Sequence, residues 1–268
     1  MLIYEPKGKA REYSPLAINL YSGCGHKCSY CYVPQVIKVT RTKFDSEIEG
    51  RKNVILTLKK EIKKFAYSQK QVFMSFTTDP YNPIDEQLKL TRTALILFLE
   101  NKIPISILTK SGKKALRDLD IMKKYGDHFK IGASLTYDNQ KDSERIESGA
   151  ALPEERLEML KIFKQNKIRT WASFEPILQP EQTLNMIKKG INFIDEFQIG
   201  KLANDSRKFD WTKFLTQVVE ILRNERKEFY IKETLREAAK IFLNPAEYDM
   251  DYLTLKPFRK ELSESLFT

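Results

Sequence analysis

Three cysteines, Cys24, Cys28 and Cys31, lie within eight residues and are the only cysteines of the 268-residue chain. Disulfides among them are disfavoured, because the loops to be closed are very short and the count is odd. Zinc would need a fourth ligand, which only His26 or His128 could supply. An electron carrier with a fully protein-ligated [4Fe–4S] cluster would need a fourth cysteine. The spacing therefore favours a [4Fe–4S] cluster on three thiolates with one iron open to a small molecule. A zinc-binding loop and three incidental thiols are the alternatives.

The stretch Cys24-x3-Cys28-x-Tyr30-Cys31, with an aromatic residue before the third cysteine, resembles the signature of the radical S-adenosylmethionine (radical SAM) superfamily. The resemblance implies that the three cysteines ligate three irons, while the open iron chelates the amino and carboxylate groups of S-adenosylmethionine (SAM). It also implies reductive cleavage of SAM to a 5′-deoxyadenosyl radical that abstracts hydrogen from a substrate. An external electron donor such as a flavodoxin or ferredoxin would supply the electron.

Short apolar runs alternate with segments of helical periodicity along most of the chain. They predict strands at residues 17–21, 71–76, 103–108, 129–135, 170–174 and 196–199, each followed by a helix, with residues 229–232 as a seventh strand or part of the last helix. Such units predict an α/β fold with a parallel sheet and right-handed crossovers. A doubly wound open sheet and a partial barrel both fit. The family resemblance implies the partial (βα)6 TIM-like barrel with outer helices.

The chain length suits one barrel domain. We expect an extended leader over residues 1–14, the barrel over residues 15–232, and a C-terminal helix and tail over residues 233–268. No long uncharged apolar run indicates a transmembrane helix, and the first residues lack the layout of a signal peptide. With the clustered reduced cysteines, these observations predict a cytoplasmic protein without a membrane partner.

Polar residues at the carboxyl ends of the strands are the candidates for the site, because active sites of parallel α/β folds lie there. The resemblance implies that Tyr30 packs against the adenine of SAM. Thr78 and Asp79, after the second strand, stand where the family carries acceptors for the SAM ammonium. Lys110, within a Thr-Lys-Ser turn after the third strand, stands where related enzymes hold the SAM carboxylate with a lysine.

Later strand ends add further candidates. Ser134 matches a serine that contacts the SAM ribose in related enzymes, and Glu175 is expected to face SAM or the substrate. Lys201 and Lys232 are candidates for substrate contact only. The Thr-Lys-Ser turn and the helix start near residue 153 resemble the spore photoproduct lyase-like branch of the superfamily. Spore photoproduct lyase uses an additional cysteine as a hydrogen donor, and this chain has none, so we do not expect a photoproduct lyase.

The net charge of +10 is concentrated at the start of the chain, where residues 1–70 hold 14 lysines and arginines against 6 acidic residues. Part of this charge can offset the thiolates, and the rest favours a nucleotide or nucleic-acid substrate; a basic surface without a ligand is the other interpretation. A non-catalytic nucleic-acid-binding protein with a structural metal-binding cysteine loop is the alternative function. An iron–sulfur protein that senses or delivers electrons without SAM is a third.

Overall fold

The computed structural model describes residues 1–202 and 205–259. Its strands are β1 (Leu16–Ile18), β2 (Tyr21–Ser22), β3 (Glu49–Gly50), β4 (Val72–Met74), β5 (Ile105–Thr109), β6 (Phe129–Ser134), β7 (Arg169–Ile177), β8 (Glu196–Lys201) and β9 (Glu228–Ile231). Its helices are α1 (Val33–Val36), α2 (Arg41–Ser46), α3 (Val54–Glu61), α4 (Asp85–Leu88), α5 (Leu90–Glu100), α6 (Leu119–Met122), α7 (Gln140–Ile146), α8 (Pro153–Gln165), α9 (Pro180–Gly190), α10 (Trp211–Asn224) and α11 (Glu233–Ala239). None of the described helices has the length and apolar content needed to cross a bilayer.

Seven strands form one fully parallel sheet in the order β1-β4-β5-β6-β7-β8-β9. Strand residues alternate between the two faces of the sheet. Leu16, Ile18, Val72 and Met74 belong to the large apolar core that includes the helices. This arrangement confirms the α/β fold of the partial-barrel type, and residues 229–231 belong to the seventh strand rather than to a helix.

The other face of the sheet carries an aromatic cluster. Phe73 and Trp171 lie there with Tyr13 and Phe76, and their ring centroids are 4.5 to 6.3 Å apart. Trp171 lies over Gly132 of the neighbouring strand, where any side chain would collide with the indole. The cluster therefore fills the inside of the curved sheet and leaves the carboxyl ends of the strands as its open end.

The N-terminal segment links the two edge strands of the sheet. Tyr4 and Ala17 of β1 exchange backbone hydrogen bonds of 3.0 and 2.8 Å in antiparallel orientation. After a 3-10 helix (Gly8–Glu12), the Glu12 carboxylate accepts hydrogen bonds of 2.9 Å from the Tyr230 hydroxyl of β9 and from the Glu233 backbone. Residues 4–13 thus cover the gap between β1 and β9.

The described part of the C-terminal segment crosses the opposite end of the sheet, where the strands begin. Lys130 donates to the Leu253 carbonyl at 2.8 Å and is buried in an ion pair with Glu196. The Leu255 backbone donates to the Gln71 side chain at 3.0 Å. The expected tail therefore packs under the sheet through Leu253 and Leu255, and residues 260–268 lie outside the described residues.

Candidate functional site

The cysteine loop, residues 22–32, follows β1 and is fixed by the antiparallel pair β2–β3 and by α2. Gly23 has φ of +73°, and a side chain there would collide with the backbone at the end of α2. The Cys24 backbone donates to the Phe44 carbonyl at 3.0 Å. Arg41 of α2 donates to the carbonyls of Cys28 and Cys31, the latter at 3.1 Å. The loop is therefore clamped from its outer side.

The three thiols are free, and burial and neighbouring charges shift the pKa of each of them. Burial raises the pKa of Cys28 to about 11, against the effect of the nearby Lys110 and Arg156 cations. Burial also raises the pKa of Cys24 and of Cys31, and neighbouring thiolates add to the rise at Cys24. Because iron binding takes the thiolates, a bound cluster would relieve this cost. Three clustered thiols beside several cations fit an anionic three-thiolate cluster.

Both histidines are engaged elsewhere. His26 lies between the first two cysteines, with Nε2 at 2.8 Å from Asp79 Oδ2 and Nδ1 at 3.2 Å from the Gly149 carbonyl. His128 contacts the Lys256 carbonyl at 2.7 Å at the far end of the sheet. Neither ring is free to complete a zinc site with the cysteines. Within residues 1–202 and 205–259, no three Cys, His, Asp or Glu side chains converge as a single-ion site requires.

Asp79 organises the turns after β4 and β5. Its buried carboxylate pairs with His26 and accepts hydrogen bonds from Thr109 Oγ1 at 2.8 Å and from the Lys110 backbone at 2.7 Å. Burial favours a raised pKa, but His26 and these donors outweigh it and lower the pKa of Asp79 to about 2. The structure brings this predicted SAM contact beside the cysteine loop, with its oxygens already occupied by protein donors.

The Thr78 side chain also contacts the cysteine loop. Its hydroxyl donates to the Gly23 carbonyl at 2.6 Å and accepts from Asn82 Nδ2 at 2.5 Å. The preceding residue differs: among the described residues, the buried Thr77 hydroxyl has no hydrogen-bond partner. The turn after β4 therefore holds the loop through Thr78, whereas the buried Thr77 hydroxyl is left unpaired within the described residues.

A buried carboxylate joins two of the predicted residues. Glu147 accepts hydrogen bonds from the Tyr30 hydroxyl and from Thr136 Oγ1, the latter at 3.1 Å. Arg156 pairs with Glu147 at 2.7 Å, and Lys110 Nζ lies 3.9 Å from Glu147 Oε1. Burial would raise the pKa of Glu147, but Arg156 and Lys110 outweigh it and lower the pKa to about 2. Glu147 thus holds Tyr30 and Lys110 beside Cys28.

Ser134 joins the same group through its backbone. It is buried at the end of β6, and its carbonyl accepts a 2.9 Å hydrogen bond from Arg156 Nη1. Lys110 Nζ lies 5.8 Å from the centroid of the Tyr30 ring. Tyr30, Lys110 and Ser134, predicted from three separate stretches, therefore lie around one ion pair next to the cysteine loop.

Glu175 belongs to a second group, inside the curved sheet. It accepts a hydrogen bond from the Tyr13 hydroxyl, and Lys232 Nζ lies 3.2 Å from its Oε2. Lys232 Nζ is also 3.3 Å from the centroid of the Tyr13 ring. A side chain at Gly200 would collide with Lys232. Glu175 and Lys232 are thus together, whereas the Lys201 ammonium donates to the Leu202 carbonyl.

Tyr32 lies between the two groups. Burial raises the pKa of Tyr32, and the nearby Glu175 carboxylate and Cys31 thiolate raise it further. The Glu175 carboxylate and the Cys31 thiol therefore both lie near Tyr32.

Sequence reasoning did not identify Glu147 with Arg156, His26 or Tyr13 as organising residues. Arg156 occupies the fourth position of α8, in the helix start that the sequence had already singled out. For His26, the sequence signal is its position between two of the cysteines. Tyr13 carried no signal, because its segment reads as an irregular leader.

A family model described as "Radical SAM superfamily" matches residues 18–194. The chain is 30% identical over 162 residues to the uncharacterized protein MJ0683 of Methanocaldococcus jannaschii, which is 60% of this chain and 60% of that protein. Among curated relatives, the matched stretch covers 49% to 61% of their length. The chain therefore corresponds to only part of each of them.

Two solved structures share the fold. Streptococcus suis SuiB bound to S-adenosylmethionine superposes with a TM-score of 0.63 at 16% identity, covering 85% of this chain and 53% of SuiB. Spore photoproduct lyase complexed with dinucleoside spore photoproduct gives a TM-score of 0.61 at 14% identity, covering 86% and 78%. At these identities the likeness establishes the fold alone.

Proposed function

Because the chain belongs to the radical SAM superfamily, we propose that it is an enzyme in which Cys24, Cys28 and Cys31 hold one [4Fe–4S] cluster and that it cleaves SAM reductively. When bound, the cluster and SAM supply the 5′-deoxyadenosyl radical that abstracts hydrogen from a substrate. The observation that carries the proposal is the placement of Tyr30 and Lys110 beside Cys28 by one buried ion pair. The free thiols also favour reducing, cytoplasmic surroundings.

In this proposal, Lys110 holds the carboxylate of SAM. Its ammonium is a compact point charge with three donors, and Glu147 holds it at 3.9 Å, too far for a full hydrogen bond. A closer carboxylate from a ligand would therefore gain at least one charge-assisted bond. The Thr77 hydroxyl supplies an acceptor for the SAM ammonium, and Thr78 and Asp79 fix the turn that carries it.

Tyr30 and Ser134 bind the nucleoside part of SAM. The Tyr30 hydroxyl is anchored on Glu147 and lies 3.3 Å from Thr136 Oγ1, so its ring is held in one orientation for adenine to pack on. Ser134 stands at the neighbouring strand end, where a hydroxyl is suited to a ribose. Both side chains act by positioning SAM before the bond breaks.

The Glu175 group faces the substrate. Its carboxylate is partly exposed and is held by Tyr13 and Lys232, so it can accept from a substrate hydroxyl or amine without moving. We propose a nucleotide or nucleic-acid substrate on the basis of the excess of 14 basic over 6 acidic residues in residues 1–70. Spore photoproduct lyase, one of the structural neighbours, is complexed with a dinucleoside. An external donor such as a flavodoxin or ferredoxin supplies the electron.

The proposal is tested by 5′-deoxyadenosine formation from SAM, using anaerobically reconstituted protein reduced with dithionite, with iron and sulfide assayed on the same sample. We expect iron-dependent cleavage, which nucleic acids or nucleotides accelerate. Bound zinc without cleavage would overturn the proposal in favour of a structural cysteine loop. Bound iron and sulfide without cleavage would favour an electron-transfer protein that does not use SAM.

Replacing Lys110 with methionine should weaken SAM binding by roughly 10- to 100-fold, because a charge-assisted hydrogen bond is worth about 1.5–3 kcal/mol. Equilibrium dialysis of the reconstituted protein measures the effect. Lys113→Met is the matched control, since Lys113 is exposed and pairs with Glu158 on the surface. Equal SAM affinity of the Lys110 and Lys113 variants would contradict the assignment of Lys110.

A further inference from the structure

We propose that His26 is a positioning residue: its imidazole fixes the turn that carries Lys110 against the cysteine loop, so that the cysteines and Lys110 act on one SAM molecule. This inference rests on the proposed function and deepens it. It adds a residue that acts on SAM through Lys110 rather than by contact.

His26 reaches from the cysteine loop into two other segments. It lies between Cys24 and Cys28, and only 4% of its surface is exposed. Its Nε2 is 2.8 Å from Asp79 Oδ2, in the turn after β4, and its Nδ1 is 3.2 Å from the Gly149 carbonyl, after α7. A buried ring with an oxygen at each nitrogen is held in one orientation, and its partners are held with it.

Asp79 passes this contact on to Lys110. The same oxygen, Oδ2, faces His26 Nε2 and accepts a 2.7 Å hydrogen bond from the Lys110 backbone. Because the pKa of Asp79 is lowered to about 2, the carboxylate is ionised at neutral pH and only accepts hydrogen bonds, so Nε2 is the donor. Two hydrogen bonds in series therefore join the cysteine loop to the turn after β5.

A backbone connection runs beside this one. Gly149 donates to the His26 carbonyl at 3.0 Å, and Ala151 donates to the Lys110 carbonyl at 2.9 Å. A side chain at Gly149 would collide with the Gly25 carbonyl, which shows how closely this segment approaches the cysteine loop. The Lys110 amide is thus fixed through His26 and Asp79, and its carbonyl through a segment that itself pairs with His26.

This double attachment has a consequence for SAM. The Lys110 ammonium can meet a carboxylate only if its turn keeps its distance from the cysteine loop, and small misplacements of a binding group are costly. His26 sets that distance from the side of the cysteines. Its role differs from that of a residue that only shapes the cysteine loop, because loss of the contact at Nε2 should weaken SAM binding and leave the iron content intact.

The test uses two amides that differ in reach. His26→Gln places a donor near the position of Nε2, whereas His26→Asn places one near the position of Nδ1 only. His128→Asn is the matched control, since that histidine contacts the Lys256 carbonyl at the far end of the sheet. Equilibrium dialysis of the cluster-loaded full chain gives the SAM dissociation constant, with iron and sulfide assayed on the same samples.

Hydrogen exchange, followed by mass spectrometry, gives a readout that needs no SAM. The peptide to follow contains the amides of Lys110 and Ser111, which donate to Asp79 Oδ2 at 2.7 Å and to Thr109 Oγ1 at 2.9 Å. Amides of a turn that is no longer held exchange faster.

We expect His26→Asn to bind SAM on the order of 10-fold more weakly and to exchange faster at this peptide, with unchanged iron and sulfide. His26→Gln and His128→Asn should match the unsubstituted protein in all three measurements. Adding His26→Asn to Lys110→Met should cause no further loss of SAM affinity, because His26 acts through Lys110.

Equal SAM affinity of the two His26 variants would overturn the proposal, as would additive losses in the double variant. Loss of iron from His26→Asn would also overturn it, in favour of a residue that only shapes the cysteine loop. Absence of iron or of SAM binding in the unsubstituted protein would overturn the proposed function. Hydrogen exchange of the His26 variants would then still decide whether His26 holds the Lys110 turn.

Discussion

Replacing Cys28 with alanine should reduce bound iron and sulfide, and with them SAM cleavage, to background. Cys28 is the most buried of the three thiols, at 8% exposure, and its backbone bridges to Glu147. Two remaining thiolates leave a second iron without a protein ligand, and neither histidine is free to replace it. Iron and sulfide assays, visible absorption and 5′-deoxyadenosine formation measure the loss.

Ser29→Ala is the control for this substitution. Ser29 is exposed, and the hydrogen bond that it makes to the Ile146 carbonyl comes from its backbone, so alanine preserves it. Both variants should retain the far-UV circular dichroism of the unsubstituted protein, because none of the three cysteines lies in a strand of the parallel sheet. Full SAM cleavage by the Cys28 variant would contradict the assignment of the cluster ligands.

Replacing Glu147 with glutamine should lower the free energy of unfolding by about 3–5 kcal/mol, because it leaves the Arg156 guanidinium buried without a carboxylate. Both side chains are completely buried, and Glu147 also accepts from the Tyr30 hydroxyl. Urea unfolding of the protein without its cluster measures the effect. Glu154→Gln is the control: it removes an exposed ion pair with Lys189 and should cost less than about 1 kcal/mol.

The difference in unfolding free energy between the protein and Glu147→Gln should depend on pH in one direction only. The pKa of Glu147 is lowered from 4.5 to about 2 in the folded protein, so its stabilising contribution is fully present above about pH 4.5. The contribution is lost as the pH falls towards 2. The gap in unfolding free energy between the protein and Glu147→Gln should therefore be constant from pH 5 to pH 8, and a gap that widens on acidification would contradict the assignment.

The sequence predicted the cysteine loop and the parallel sheet because both depend on local patterns: the spacing of the cysteines and the alternation of apolar runs with segments of helical periodicity. The boundaries of the first strand differ from the prediction. Residues 17–21 were predicted as one strand, but β1 ends at Ile18 and β2 begins a separate antiparallel pair. Asn19 explains the break, since its side chain accepts from the backbones of Phe76 and Thr77 at 3.0 and 2.9 Å. That contact joins two turns distant in sequence, and no local pattern reveals it.

Contacts between residues distant in sequence also limited the prediction of the site. Lys110 and Ser134 could be selected because they lie at or just after the ends of predicted strands and match residues of related enzymes. Their common organiser is a pair between Glu147, which follows a short helix, and Arg156, within α8. Both charges are completely buried, whereas charged residues in a sequence are normally expected on the surface. Only the fold shows that these two are enclosed together.

The segment over residues 4–13 has a consequence for behaviour in concentrated solution. A sheet that stops at β1 and β9 has two edges whose backbone groups could pair with a strand of another molecule. Tyr4 occupies the edge of β1, and Glu12 ties the segment to the end of β9. The leader therefore occupies part of the β1 edge, where a strand of another molecule could otherwise add, whereas a closed barrel covers that edge with its own last strand.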